Sequence, residues 1–296
     1  MREAHENAPP MAGIPAGGPT IEVDDVYRFY EIFDAAAGRP TAAQLQVDYL
    51  DAGSAGLRIF AEQRNTTGAR IADAIAARPE IFVDAKRCME VLPRVRQRLE
   101  AALQELSRLY PEATFPPVTI AVGRGRPVGI GHPTTGVQIG LEALCATDFL
   151  NPNVEDRFVH VIAHEFVHVQ QDSALADGSN QTVLEVSLME GVAEFVGELI
   201  SGDVAYSHLR SIVAGREMEI ETAFVGDQDK TDLSAWVYNT TAEQPGDLGY
   251  WVGYRIAKAY YQHAVDKRQA LRDILGLTDA KAFLAASGWR PGIELD

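Results

Sequence analysis

The feature that most constrains this chain of 296 residues is the stretch HVIAHEFVHVQQ, from His160 to Gln171. Apolar residues recur around it at helical spacing, which predicts a buried helix from about Val154 to Gln171. On such a helix His164 and His168 project side by side from one face, and Glu165 is turned by about 100° from His164. Two buried imidazoles and a carboxylate are costly without a partner, so the fold must supply one.

A metal ion is the partner that this spacing favours. The pattern H-E-x-x-H supplies two histidine ligands to zinc and a glutamate that can reach a bound water. Zn²⁺ lowers the pKa of that water toward about 7, and Glu165 would remove its proton and pass it to the leaving amine. We expect His160, one turn earlier, beside the site or on the helix surface rather than as a ligand. The alternative is a core helix whose histidines hydrogen-bond to neighbours.

A second helix is predicted from Thr182, where T-V-L-E forms a capping box, to about Ile200. Glu190 and Glu194 lie four residues apart on it and therefore share one face. Because a catalytic zinc takes three protein ligands, we assign Glu190 as the third. Glu194 would then accept a hydrogen bond from a ligand histidine and fix its tautomer.

The remaining sequence indicates a predominantly helical α+β fold. Helical periodicity runs from Ile21 to about Leu109. Runs of β-branched residues at Val118 to Val122 and Gly136 to Ile139 predict two strands, and the glycine- and proline-rich stretch between them predicts a loop. In the last third, GDLGYWVGYRIAKAYYQHAV predicts a helix with Asp247 as its N-cap.

Two motifs near the strands have more than one interpretation. GVQIGLEAL fits either an exposed edge strand, which could hold an extended peptide by main-chain pairing, or an ordinary interior strand. GRGRPVGIG lacks the G-K-[ST] ending and the following helix of a phosphate loop, so a connection between strands is favoured.

The three expected zinc ligands occur in a pattern that resembles the gluzincin branch of zinc metallopeptidases. In that branch an E-G-x-A-type helix, here EGVAEF with Glu190, supplies the third ligand, and an acidic residue four positions later supports a histidine. GYWVGY is similar to the Tyr-x-x-Gly element of the aminopeptidase and leukotriene-hydrolase families. That likeness implies that Tyr250 helps stabilise the oxyanion, with Tyr254 as the lesser candidate; core packing is the alternative for both tyrosines.

The chain from about Asp24 to His263 also resembles a bacterial family of predicted zinc-dependent proteases of unknown function, related to gliding-motility lipoprotein B. The resemblance implies a zincin-like core, Zn²⁺ as cofactor and a peptide or protein substrate. The sequence departs from thermolysin-like enzymes in lacking a clear counterpart of their downstream histidine motif, for which His208 is the remaining candidate.

These features predict the organisation of the chain. We expect residues 1–20 to be a disordered leader and residues 21–296 to form a single metallopeptidase-like domain. Residues 21–115 would be its N-terminal helical layer, residues 116–172 its small sheet and active-site helix, and residues 173–296 its C-terminal helical part with the third ligand.

Composition limits the partners and the location. The formal net charge of −16 works against neutralising phosphates or anionic lipid, so nucleic acid is not expected, and the overall field disfavours acidic substrates. No run approaches the ~18 apolar residues of a membrane span, so we expect a soluble protein. Both an extracytoplasmic location, with a signal already removed, and a cytoplasmic one are compatible with the sequence.

The two cysteines, Cys88 and Cys145, are too few for a disulfide framework and lack C-x-x-C spacing. We expect two buried free thiols rather than one disulfide.

Two other functions are compatible with this sequence. One is a zinc-stabilised binding or scaffold protein that keeps a zincin fold but has no usable cleft. The other is a metal-free helical interaction domain.

Overall fold

The small sheet is mixed and has four strands in the order β1-β2-β4-β3, within a chain that is otherwise mainly helical. The computed structural model describes residues 19–171, 180–241, 244 and 246–295. The expected leader therefore lies, except for its last two residues, outside the described residues. The predominantly helical α+β class is confirmed.

In chain order the elements are β1 (Ile21–Glu22), α1 (Asp24–Ala35), α2 (Ala42–Gln44), a π-helix (Leu45–Asp51), α3 (Ala55–Gln63), α4 (Gly68–Ala77), α5 (Pro79–Asp84), α6 (Lys86–Met89), α7 (Leu92–Leu109), β2 (Val118–Ala121), β3 (Gly129–His132), β4 (Gly136–Gly140), α8 (Leu141–Cys145), α9 (Val154–Gln170), α10 (Val183–Ser201), α11 (His208–Val213), α12 (Glu217–Asp227), α13 (Leu248–His263), α14 (Lys267–Leu275) and α15 (Ala280–Ala286).

Within the sheet, β4 is an interior strand and β3 is an edge. Strand β2 pairs in parallel with β1 and with β4, from Val118 opposite Val137 to Ala121 opposite Gly140. Strand β3 pairs antiparallel with β4, with Gly129 opposite Ile139. Of the two interpretations of GVQIGLEAL, the interior strand is therefore confirmed for Gly136–Gly140, and α8 follows it directly.

The prediction of only two strands was wrong. Ile21–Glu22, expected at the start of a helical region, pairs with β2 instead. Gly129–His132, expected as part of a loop, forms β3. Two of its four residues are glycines, which weaken strand propensity but let another backbone approach closely. Local propensity therefore could not indicate a strand that depends on its tertiary neighbours.

Helix α9 lies against β3 and β4 on one side and against α7 and α10 on another. Helix α10 packs in turn on α13, and at their crossing a Cβ on Gly253 would collide with the carbonyl of Ser187, while a Cβ on Gly191 would collide with the backbone of Gly253. The two helices therefore approach to backbone contact. Since Gly191 follows Glu190 directly, this crossing brings the start of α13 next to Glu190.

The starts of α10 and α13 can be compared with the caps that the sequence predicts. Thr182 and Glu185 form the predicted capping box at the start of α10. Asp247 is the N-cap residue of α13, as predicted, but its side chain caps no helical N–H. Its Oδ1 instead accepts a hydrogen bond of 2.9 Å from the backbone N–H of Asn239, and its backbone is left-handed with φ of 55°.

Cys88 and Cys145 form a disulfide, so the expectation of two free thiols was wrong. Their Cα atoms lie 6.1 Å apart although 57 positions separate them in sequence. The bridge joins α6, in the N-terminal helices, to the end of α8. Sequence spacing could not indicate this pairing, because it depends on how α6 and α8 pack.

In the part of the chain that the structure describes, no helix combines the length and the apolar character needed to cross a bilayer.

Reduction of the disulfide should lower the free energy of unfolding by up to about 4 kcal/mol, since the bridge closes a long loop in the unfolded chain. Urea unfolding with and without a phosphine reductant, which avoids the zinc binding of dithiols, would measure the change. A Cys88→Ser/Cys145→Ser double variant should match the reduced protein and be insensitive to the reductant. An unfolding midpoint of the unmodified protein that reductant does not shift would contradict the pairing.

Candidate metal centre

Helix α9 presents the H-E-x-x-H residues to the interior of the molecule. Asn153 caps the helix by accepting a hydrogen bond from the N–H of Asp156. Further along, the side chain of His164 is 4% exposed and that of His168 is 17% exposed. The observed helix ends at Gln170, one residue before the predicted end. The two imidazoles therefore lie on successive turns of a helix that is mostly buried.

Helix α10 brings a carboxylate to the same point. The Nε2 atoms of His164 and His168 lie 3.1 Å apart. Oε2 of Glu190 lies 3.3 Å from the first of these nitrogens and 3.4 Å from the second. These three side chains form a group with one possible metal ligand atom each.

The triangle of donor atoms fits a zinc ion. Tetrahedral zinc with bonds of about 2.0–2.1 Å separates its ligand atoms by about 3.3 Å. The three observed separations of 3.1, 3.3 and 3.4 Å are close to this value. The donor set, two imidazoles and one carboxylate, is also one that zinc uses in catalytic sites.

Neighbouring groups fix which nitrogen of each imidazole faces the centre. Nδ1 of His164 lies 2.6 Å from Oε1 of Glu194. Nδ1 of His168 lies 2.6 Å from Oε1 of Gln171, whose Nε2 donates to the carbonyl of Met189 at 2.7 Å. An acceptor oxygen therefore lies beside each Nδ1. A single proton on that nitrogen would leave the Nε2 lone pair directed at the centre, as in metal-binding histidines.

The electrostatics of the centre favour a bound cation. Burial alone would lower the pKa of His164, but hydrogen bonds and charge from Glu190 and Glu194 outweigh it and raise that pKa. The pKa of His168 is also raised, because the Glu190 carboxylate outweighs the effect of burial. Burial would raise the pKa of Glu190, yet the two histidines hold it well below its usual range. Without a metal, protons bound to the histidines offset the negative charge of these carboxylates.

Two tyrosines support the carboxylates. The hydroxyl of Tyr238 donates a hydrogen bond of 3.0 Å to Oε1 of Glu190, which leaves Oε2 facing the histidines. Tyr238 has a positive φ of 58°, an uncommon backbone conformation for a bulky residue. The backbone N–H of Tyr206 donates to Oε2 of Glu194 at 3.1 Å. Both carboxylates are thus held through the oxygen that does not face a histidine.

Tyr250 lies beside the centre. Its ring is nearly parallel to that of His164, at 9° and with 6.2 Å between centroids, and it packs against Tyr206 at 4.7 Å. Burial and the nearby Glu190 raise the pKa of its hydroxyl well above the ordinary value. Tyr250 therefore keeps its proton at neutral pH.

A cleft of about 880 Å³ opens onto these residues. One wall is β3 with its flanking residues, and the other walls come from α9, α10 and the tyrosines. The residues that line the cleft are Pro127 to Thr134, His164, Glu165, His168, Gln171, Met189, Glu190, Tyr206, Tyr238 and Tyr250.

Two glycines allow β3 to lie directly against α9. A Cβ on Gly129 would lie 2.5 Å from Oε1 of Glu165, and a Cβ on Gly131 would collide with the carbonyl oxygen of Glu165. The alternation of strand side chains turns both positions toward the helix. The sequence G-I-G-H therefore sets the strand close to Glu165.

Three predicted candidates lie outside the cleft. Nδ1 of His160 is 2.8 Å from Oγ of Ser201. The ring of His208 lies between Phe149 and Tyr206, at 5.8 and 6.0 Å. The hydroxyl of Tyr254 donates to Oε2 of Glu198 at 2.8 Å. None of the three belongs to the metal-ligand group found among the described residues.

Sequence reasoning missed Gln171, Tyr206 and Tyr238. Gln171 carried a usable signal, since it follows His168 by three positions at the end of the same helix. The two tyrosines carried none, because they lie in irregular segments whose position depends on the tertiary fold.

The close approach of β3 to α9 can be tested with Gly131→Ala. The added methyl group would collide with helix backbone, so we expect a loss of about 1–3 kcal/mol in the free energy of unfolding. Gly226→Ala is the matched control, since a Cβ there meets nothing within 4 Å, and should leave stability unchanged or raise it by up to about 1 kcal/mol. Equal unfolding midpoints for the two variants in urea would show that β3 does not contact α9 in this way.

Comparison with known proteins gives one match. Residues 143–275 match a family described as predicted Zn-dependent protease (DUF2268). No curated protein and no solved structure matches the chain. The matched stretch contains α9, α10 and α13, and with them His164, His168 and Glu190. Over this part of its length the chain is similar to a family with predicted zinc dependence and predicted protease activity.

Proposed function

We propose that this protein is a zinc-dependent hydrolase of the gluzincin type, with residues 21–296 as one zincin-like domain that cleaves peptide bonds. The observation that carries the proposal is the convergence of two imidazole nitrogens and one carboxylate oxygen within 3.1–3.4 Å of one another beside a cleft. The similarity to predicted Zn-dependent proteases supports the same reaction class.

His164, His168 and Glu190 would hold the metal. A bound zinc ion lowers the pKa of water to about 7 and polarises a substrate carbonyl. Glu194 and Gln171 orient the two histidines through their Nδ1 protons, and these partners also make the imidazoles better ligands.

Glu165 is the proposed general base and acid. Its side chain lines the cleft next to Gly129, and among the described residues its carboxylate has no hydrogen-bond or ion-pair partner. It is therefore free to take a proton from the attacking water. The same carboxyl group can then deliver that proton to the nitrogen of the leaving amine.

Tyr250 is the proposed oxyanion donor. Because its pKa is raised by burial and by Glu190, the phenol stays protonated and can donate to the negative oxygen that develops on the substrate carbonyl. One such donor is worth about 3 kcal/mol of barrier.

The free edge of β3 suits an extended peptide. Within the described ranges β3 pairs only with β4, and it lines the cleft. Its outward N–H and C=O groups can therefore pair with a substrate main chain. The presence of a cleft beside Glu165 favours a hydrolase over a scaffold protein without a usable cleft.

The disulfide bears on the location. Structural disulfides persist in oxidising compartments and are rare in the cytosol. Of the two locations compatible with the sequence, the Cys88–Cys145 bridge supports the extracytoplasmic one.

Variants of Glu190 and Glu165 can distinguish metal binding from catalysis. Glu190→Gln should reduce bound zinc well below one ion per chain, whereas Glu165→Gln should keep the zinc and lose roughly a hundredfold or more in peptide cleavage. Metal analysis of the purified proteins and cleavage of a fluorogenic peptide library by the zinc-loaded proteins would measure both.

Glu198→Gln is the matched control on α10, since Glu198 contacts Arg210 and Tyr254 rather than the cleft. It should keep both zinc and activity. The proposal would be wrong if the unmodified protein bound no zinc, or if Glu165→Gln cleaved as fast as the unmodified protein.

Zinc binding should release protons near neutral pH. The raised pKa of His164 means that the metal-free protein holds a proton there at pH 7, and zinc must displace it. Apparent zinc affinity should therefore increase as pH rises toward that pKa, because proton competition weakens. Calorimetry in two buffers with different ionisation enthalpies would count the protons released.

Glu194→Gln is the informative variant for this measurement. It removes one carboxylate that raises the pKa of His164, so fewer protons should be released at pH 7. A zinc affinity that does not change with pH would contradict the coupling.

A further inference from the structure

A second cavity, of about 460 Å³, lies outside the candidate metal centre and is lined by four arginines. Arg70 and Arg78 come from α4 and the residue that follows it, and Arg124 and Arg126 come from the loop before β3. Asp73 is the cavity's one lining carboxylate among the described residues. In a chain with a net charge of −16, this is a concentrated positive site.

The four guanidinium groups are available for a ligand. In the described ranges, none of them has a carboxylate partner at ion-pair distance. Arg70 donates one N–H to the carbonyl of Asn65 at 2.8 Å, and Arg124 donates its Nε–H to the carbonyl of Arg64 at 3.2 Å. Because a guanidinium has five N–H donors, most of the donors in this cavity have no acceptor among the residues that the structure describes.

The loop that carries Arg124 and Arg126 is held in place by buried groups. The Glu142 carboxylate accepts hydrogen bonds from the backbone N–H groups of Gly123 and Gly125. Gly125 has a φ of 82° and lies directly against the guanidinium of Arg78. The cavity is therefore formed without a ligand, which reduces the ordering cost of binding.

The cavity adjoins the amino end of the edge strand. Arg126 directly precedes Pro127, which lines the cleft, and β3 begins at Gly129. Only Pro127 and Val128 separate Arg126 from β3, and an extended peptide advances about 3.3 Å per residue, so a few residues of peptide could span this stretch.

We propose that the arginine cavity binds a carboxylate of the peptide that lies along β3, and so selects substrates with an acidic group beyond the amino end of that strand. The inference rests on the proposed function, which places a peptide in the cleft. Arginine pairs well with carboxylates because its fork can donate two parallel hydrogen bonds. A long polyanion such as a nucleic acid is disfavoured because the net charge of −16 repels it on approach.

The carboxylate can come from an Asp or Glu side chain or from the chain terminus of the peptide. Labelled alanine-based decapeptides with one Glu at each position in turn, amidated at the C-terminus, test the first source against matched Gln peptides. The same alanine peptide with a free C-terminal carboxylate tests the second. Fluorescence anisotropy with zinc-loaded Glu165→Gln would measure binding without cleavage.

We expect about tenfold tighter binding for Glu than for Gln at one position or two adjacent positions, or for the free acid over the amide. Added to the Glu165→Gln background, Arg78→Gln/Arg126→Gln should bring that ratio close to one. Arg39→Gln, an exposed arginine outside the cavity, is the charge-matched control and should keep the preference. Asp73→Asn should increase the preference, because it removes the negative charge that faces the ligand.

The outcomes separate the two proposals. Equal binding of all acidic and neutral peptides, or a preference that persists in the double variant, overturns the inference and leaves the peptidase proposal intact. Absence of binding by every peptide, together with absence of cleavage by the zinc-loaded unmodified protein, overturns both. If Arg78→Gln does not fold, Arg126→Gln alone, at an exposed position, should still reduce the preference several-fold, and an unchanged preference there also overturns the inference.

Discussion

Two imidazole nitrogens and a carboxylate oxygen face one another at 3.1–3.4 Å in a buried position, where the negative charge must be offset by protons or by a metal ion. This constraint explains the neighbouring polar contacts. Glu194 and Gln171 hold the Nδ1 protons away from the centre, and the Tyr238 hydroxyl occupies the outer oxygen of Glu190. Each contact leaves an atom of the group facing inward, and together these contacts preorganise a group that could hold a metal ion.

The geometry of that site depends on backbones that approach closely at glycines. Gly191 and Gly253 bring α10 and α13 into contact next to Glu190, which places Tyr250 one turn from the crossing. Gly129 and Gly131 bring β3 into contact with α9 next to Glu165. Glutamates of two different helices are thus each adjacent to a glycine contact. Packed backbones have few alternative arrangements, so the backbone positions of both glutamates are well fixed.

Much of the centre could be predicted from local pattern. The bounds of α9 and α10 and the capping box at Thr182 follow from periodicity and end signals, and the placement of His164, His168 and Glu190 follows from helical spacing. The rest depends on contacts between distant segments. The sequence of β3 predicts a loop because it is rich in glycine, and those glycines are needed for the close packing of the strand against α9. Tyr238, the disulfide and the side-chain role of Asp247 depend on where other elements lie, which local pattern does not encode.

The net charge of the chain and the charges that line one cavity have different consequences for ligand binding. The net charge of −16 describes a field that salt screens within about 8 Å, so it governs the approach of a ligand rather than its contacts. At contact distance a substrate would meet four guanidinium groups and one carboxylate in the arginine cavity. A carboxylate that pairs with arginine at contact distance is stabilised by hydrogen bonds that the distant charges do not alter. An acidic protein can therefore still select an acidic group, because specificity depends on the cavity and not on the sum of the charges.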